Sequence, residues 1–85
     1  MQGLPDRIDA IIRDALSVEV PSHDTDLIET GLLDSLALVS LLAELEQALG
    51  VELPLDELEV DDFRSVERIA VFLVRSGVWS PNGRM

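Results

Sequence analysis

In Gly31-Leu32-Leu33-Asp34-Ser35-Leu36 a serine follows an acid at the point where a loop gives way to a leucine-rich segment. Its hydroxyl could act as a nucleophile, sit near a metal, or be modified by another enzyme. The first use needs a base. The chain has one histidine and no cysteine, so a triad could be assembled only from Ser35, His23 and Asp34 or Asp24. Hydroxyl activation also requires the imidazole within hydrogen-bond reach, an oxyanion hole and a pocket. A domain this small has little room for a pocket beside its core, so the chain is not expected to be an enzyme. For a metal, Asp24, Asp26 and Glu29 form one acidic group and Asp56, Glu57, Glu59, Asp61 and Asp62 another. Calcium takes about six to eight oxygens from a loop with glycine at its sharp turn, and neither group has that register. Solvated acidic faces are expected instead, with no metal site. The third use fits better. A hydroxyl at a helix N-terminus lies among unpaired backbone N–H groups that favour a phosphate ester. Leu33 and Leu36 flank Ser35 with apolar surface, and Asp34 offers a basic modifying enzyme a handle. Equally, Ser35 or Asp34 can be a helix cap and nothing more. Local chemistry leaves both readings open.

The elements that must position this serine are helical. Leu4, Ile8, Ile11, Ile12 and Ala15 recur at helical spacing, predicting a first helix over about Pro5–Leu16, ended by Pro21. Residues 21–34 form a long loop in which Asp24 or Thr25 can cap a short turn holding Leu27 and Ile28 against the core. Gly31 suits a positive φ. A second helix is predicted over Ser35–Leu49, with Leu38, Leu41, Leu42, Leu45, Ala48 and Leu49 inward and Gly50 as its C-terminal cap. One or two short helical turns fit Leu55–Phe63. Ser65 then caps a last helix over about Val66–Ser76, with Val66, Ile69, Ala70 and Leu73 inward and Phe72 partly so. The fold class expected is all-α: a small irregular four-helix bundle, three main helices plus a short third one, with a long first loop. Residues 1–77 are expected to form the domain and 78–85 a flexible tail, with Trp79 able to fold back.

Eighty-five residues allow one small domain. The lack of cysteine removes disulfides and thiolate chemistry and suits a reducing compartment. Met1 to Arg13 lacks the apolar core of a signal peptide, and no segment approaches the roughly 18 apolar residues of a membrane span. A cytoplasmic monomer is the expectation. Seventeen acidic residues against six basic ones, all arginine, give a net charge of −11. Such a field disfavours nucleic acid and anionic membrane and favours basic surfaces on other proteins.

The stretch Asp26-Leu27-Ile28-Glu29-Thr30-Gly31-Leu32-Leu33-Asp34-Ser35-Leu36 resembles the attachment motif of acyl carrier proteins. The second helix and Gly50-Val51-Glu52-Leu53-Pro54 continue the likeness, which spans about Leu4 to Val74. The resemblance implies that Ser35 receives 4'-phosphopantetheine from coenzyme A, with Asp34 beside it, through a phosphopantetheinyl transferase using magnesium. The arm would then hold an acyl or aminoacyl group as a thioester. The recognition surface implied is Leu33, Leu36, Val39, Ser40, Ala43 and Phe63, although Leu36 and Val39 can also be read as partly buried core. Its partners would be an adenylating, cargo-loading enzyme and a downstream acyltransferase or condensing enzyme.

Departures narrow the expectation. Fatty-acid carriers usually place an acid where this chain has Ser40 and a polar residue where it has Ala37. From Pro54 through Asp61-Asp62-Phe63 to Ile69 the chain is more similar to D-alanyl carriers and to free-standing aminoacyl or peptidyl carriers. The glycine and histidine usual before the serine of carriers embedded in large synthetases are missing, which fits a free-standing protein. The lysine-free, leucine- and arginine-biased composition inclines toward a high-GC bacterium and specialised polyketide or nonribosomal peptide (antibiotic) metabolism. The expected function is therefore a free-standing aminoacyl or acyl carrier in such a pathway. Carriage of D-alanine or of fatty-acid or polyketide chains is the alternative. A cofactor-free acidic helical interaction domain is the reading from a different class.

Overall fold

Three α-helices and one 3₁₀ turn make up the computed structural model, which describes residues 3–54 and 56–78; there is no strand among the described residues. Of the expected tail, Val78 is described and packs against the core, while residues 79–85, Trp79 included, lie outside the described residues, as does Leu55.

α1 spans Leu4–Leu16, with proline at its start, Asp6 in the first turn and Arg13 in the last, the charge order that suits a helix dipole. Ile8 and Ile12, one turn apart, are fully buried. α2 spans Ser35–Leu49, the predicted bounds, and ends at Gly50 in the left-handed region with φ 67°. Its buried pair is Leu41 and Leu45; Leu38, Leu42 and Leu49 are partly covered, whereas Ala48, expected inward, is exposed. The Glu46 carboxylate accepts the Leu53 amide at 2.9 Å, so the extended exit from α2 is tied back to the helix and Leu53 is buried.

The expected short third helix is a single 3₁₀ turn at Val60–Phe63, closed by a reciprocal capping box between Glu59 and Asp62. α3 spans Val66–Arg75, and the Ser65 hydroxyl accepts the Arg68 amide at 3.2 Å. Val66, Ile69, Phe72 and Leu73 all point into the core. Phe72, expected only partly inward, is fully buried because the 3₁₀ turn delivers Phe63 against it, ring centroids 5.7 Å apart in a tilted pair. α1 packs on both α2 and α3, and the 3₁₀ turn packs on α3.

The loop ahead of α2 is held down rather than free. Its cap is Asp26, not Asp24 or Thr25: one Asp26 carboxylate oxygen accepts the Ile28 and Glu29 amides at 3.1 and 2.8 Å. Asp24 and Thr25 instead close an earlier turn with Ser22. Leu27 and Leu33 are buried, and the Leu33 amide reaches back to the Leu27 carbonyl at 2.8 Å. Gly31 has φ 81°, the left-handed backbone that this return needs and that glycine adopts without steric cost.

Candidate functional site

Asp34, not Ser35, caps α2. Its carboxylate accepts the Ala37 amide at 2.8 Å, and Ser35 becomes the first helical residue. The division of labour matters chemically. With the cap supplied by Asp34, the Ser35 hydroxyl is exposed and makes no hydrogen bond among the described residues. The first amides of a helix have no intrahelical partner, and only that of Ala37 is taken up by the cap. A phosphate ester on Ser35 would meet those amides and the positive end of the helix.

Just beyond Ser35 the first turns of α2 expose apolar side chains. Leu36 is 81% and Val39 65% exposed, with Ser40 and Ala43 exposed on the same helix. Leu36 and Val39 are therefore surface residues, not edges of the core. Leu33 and Phe63, expected on the recognition surface, are core residues at 4% and 0% exposure. They pack inward because the loop turns back at Gly31 and the 3₁₀ turn lays Phe63 on Phe72. A docking partner cannot use their side chains as surface.

Instead they help line a cleft of about 300 Å³ that opens beside Ser35. Ile28, Leu33 and Gly31 come from the loop, Asp34, Ser35 and Leu38 from the start of α2, and Val60 and Phe63 from the 3₁₀ turn. Val60 was not picked out by sequence reasoning; its signal is a valine amid carboxylates at Glu59, Asp61 and Asp62, and it is 57% exposed. Arg64 joins two walls of this cleft. Its guanidinium lies 3.1 Å from Asp26 on the loop and 3.0 Å from Asp61 on the 3₁₀ turn, and its carbonyl accepts the Leu27 amide at 2.6 Å. The Glu29 amide, aided by Arg64 and by the Ile28 amide, holds the Asp26 carboxyl below its ordinary range against partial desolvation.

His23 and several of the acids considered for chemistry are engaged elsewhere. His23 lies with its Nε2 3.3 Å from Asp6 on α1, while its carbonyl accepts the Glu67 amide, and no hydrogen bond joins it to Ser35, Asp34 or Asp24. Within the acidic groups, Asp26 and Asp61 pair with Arg64, Asp62 pairs with Arg75 at 3.3 Å, and Asp24 accepts the Ser22 hydroxyl. Among the described residues no three His, Asp or Glu side chains gather as a metal site, and no helix is long and apolar enough to cross a membrane.

An exposed, unpaired hydroxyl at a helix start, with an apolar cleft beside it, fits a covalently attached group better than a hydrolytic centre. Comparison with known proteins agrees. A family profile described as a phosphopantetheine attachment site matches residues 6–73. The D-alanyl carrier proteins of Streptococcus pyogenes serotypes M5 (strain Manfredo), M49 (strain NZ131) and M1 are each 41% identical to the chain over 46 residues. That stretch is 54% of this chain and 58% of each relative, so the match spans little more than half the length of these curated proteins. With its profile match running through all three helices, the chain belongs to the phosphopantetheine-attachment family of carrier proteins, whose members carry 4'-phosphopantetheine as a covalent arm.

Proposed function

We propose that Ser35 is the attachment residue and that the chain carries an amino acid as a thioester on the arm. The observation that carries this reading is the free Ser35 hydroxyl, released from capping by Asp34 at the first position of α2. In the transfer, the serine oxygen forms a bond to the phosphorus that bears the pantetheine. The bond from that phosphorus to the nucleotide half of coenzyme A breaks, and the hydroxyl proton passes to a base on the transferase. The chain needs no base of its own, which accounts for His23 lying on Asp6 instead of Ser35. The arm's thiol, when bound, supplies the thioester chemistry; the protein's share is address and presentation.

Address is supplied by Leu36, Val39, Ser40 and Ala43 on α2 within a strongly acidic molecule. Basic transferases and adenylating enzymes would be drawn by the charge and would seat on the apolar strip. Such contacts form fast and release readily, as a shuttle between enzymes requires. An aminoacyl cargo is favoured by the likeness to proteins named D-alanyl carriers, and D-alanine is the first cargo to test. Another amino acid in specialised polyketide or nonribosomal peptide metabolism is the second reading, favoured by the absence of lysine from the chain.

The test is incubation with coenzyme A, magnesium and a broad-specificity phosphopantetheinyl transferase, followed by intact mass measurement. The wild type is expected to gain one phosphopantetheine and Ser35→Ala to gain none. An unchanged wild-type mass would exclude the carrier reading and leave the acidic interaction domain. The modified protein, offered D-alanine and other amino acids with adenylating enzymes, then reports the cargo.

A further inference from the structure

The Ser35 hydroxyl has no hydrogen bond to hold it among the described residues, so its place is set by the backbone that leads into α2. That backbone can be traced to one residue. Arg64, directly after the 3₁₀ turn, accepts the Leu27 amide on its carbonyl at 2.6 Å, and its Nη1 donates to one Asp26 carboxylate oxygen at 3.1 Å. The other Asp26 oxygen accepts the Ile28 and Glu29 amides, and the Asp26 carbonyl accepts the Thr30 hydroxyl at 2.7 Å. The Leu27 carbonyl accepts the Leu33 amide at 2.8 Å, and Asp34 follows as the cap of α2. A run of hydrogen bonds thus leads from Arg64 to the start of the helix. Resting on Ser35 as the attachment residue, we propose that Arg64 is a positioning residue for the phosphopantetheine transfer. It holds residues 26–34, and through them the serine, in the arrangement that the transferase meets.

Arginine suits this role because its planar fork can meet two acceptors at once. Nε donates to Asp61 at 3.0 Å, which aims the guanidinium at the loop while Nη1 holds Asp26. The turn that bears Asp61 is itself fastened to α3. Arg68 Nε donates to the Asp61 carbonyl at 2.8 Å, and Arg75 pairs with Asp62 at 3.3 Å. The loop is therefore tied to a helix with four of its ten residues in the core. Arg64 and Asp26 are both partly exposed, and ion pairs in water add little to overall stability. What the tie supplies is order in the segment before Ser35. Without it, that segment must be ordered when the transferase binds, and the ordering weakens the binding.

The experiment measures transfer from coenzyme A with magnesium and a broad-specificity phosphopantetheinyl transferase, the carrier being the varied substrate. Arg64→Gln is expected to raise KM on the order of tenfold, the cost of ordering about one residue's backbone, with kcat little changed. Amide hydrogen exchange should quicken at Leu27 and Leu33 and stay slow at Ile69 and Leu73. Arg75→Gln loosens the same 3₁₀ turn without touching the loop and should leave KM at its wild-type value. Asp26→Asn should raise KM as well, and combining it with Arg64→Gln should add nothing further, because the two side chains act through one tie. Additive losses would mean that Arg64 meets the transferase directly and would overturn the inference. A wild-type KM in folded Arg64→Gln, or an equal rise in Arg75→Gln, would also overturn it. If Arg64→Gln does not fold, Asp61→Ala, which frees one side of the guanidinium, carries the same prediction at smaller size, and an unchanged KM there overturns the inference. Wild-type loading at Ser35, read by intact mass and peptide mapping, keeps the carrier function intact through all of these outcomes. Absence of wild-type loading, or loading at another residue, would overturn both.

Discussion

α2 and α3 are built from similar apolar residues but spend them differently. Of the ten residues of α3, Val66, Ile69, Phe72 and Leu73 are buried, and these account for the packing of the helix. Ten of the fifteen residues of α2 are apolar, yet only Leu41 and Leu45 are fully buried. The surplus is not spread at random, since Leu36 and Val39 stand in solvent immediately after Ser35. Single exposed apolar residues need no explanation, but Leu36 and Val39 adjoin the free hydroxyl, which is why the proposed function uses them for contact. α3 leaves Val71 and Val74 exposed as well, so exposure alone does not set α2 apart. Under the function proposed above, the first half of α2, next to the free serine, serves contact and the buried face of α3 serves stability.

That contrast can be broken by substitution. The largest effect is expected from Phe72→Ala, which removes the ring tilted against Phe63 and should cost about 3–5 kcal/mol in denaturant unfolding. A loss below 1 kcal/mol, on the order of a surface change, would mean that α3 is not the stability helix described. Smaller losses of about 0.5–2 kcal/mol are expected when either helix loses its cap, by Ser65→Ala on α3 or Asp34→Ala on α2. Only the second should also slow phosphopantetheine transfer, and Asp34→Asn, which keeps a capping oxygen, should recover most of the stability.

Acid should act through the loop that presents α2. Because the Asp26 carboxyl is held below its ordinary value of 3.8, its stabilising contribution is present above that pH and is lost as pH falls through the lowered value. In wild-type protein, stability should therefore drop below about pH 4 more steeply than in Asp26→Asn, as seen in thermal melts over a pH series. Equal slopes would show that the Asp26 carboxylate, held by the Glu29 amide and by Arg64, does not anchor the loop. The smallest effect on stability belongs to Leu36→Ala, within about 0.5 kcal/mol, accompanied by a raised KM for the transferase. A Leu36→Ala protein that is markedly destabilised yet modified normally would reverse the roles assigned to α2.

Much of this was legible in the chain. α2 could be bounded at Ser35 and Gly50 because its start and stop signals are local: an acid before the first turn and a glycine where the backbone turns left-handed. Ser65 and the start of α3 were readable for the same reason. What escaped depends on partners distant in sequence. Composition pointed to Asp24 or Thr25 as the cap, and the residue that caps is Asp26, which also meets Arg64 across the fold. Phe72 falls at the edge of a helical stripe until Phe63 is brought over it. The cleft has the same origin, since its walls come from residues 28–38 and from Val60 and Phe63. Leu33 and Phe63 could therefore be associated with the site while being assigned to its surface instead of its floor.

The central claim is that the serine left free by the Asp34 cap is the one that bears the arm. Fragmentation mass spectrometry of the modified protein tests it residue by residue, with Ser17, Ser22, Ser40, Ser65, Ser76 and Ser80 as internal controls. The account predicts a single phosphopantetheine on Ser35. An arm found on Ser40 or any other hydroxyl, or an unmodified Ser35 in a protein that has gained the mass, would contradict it.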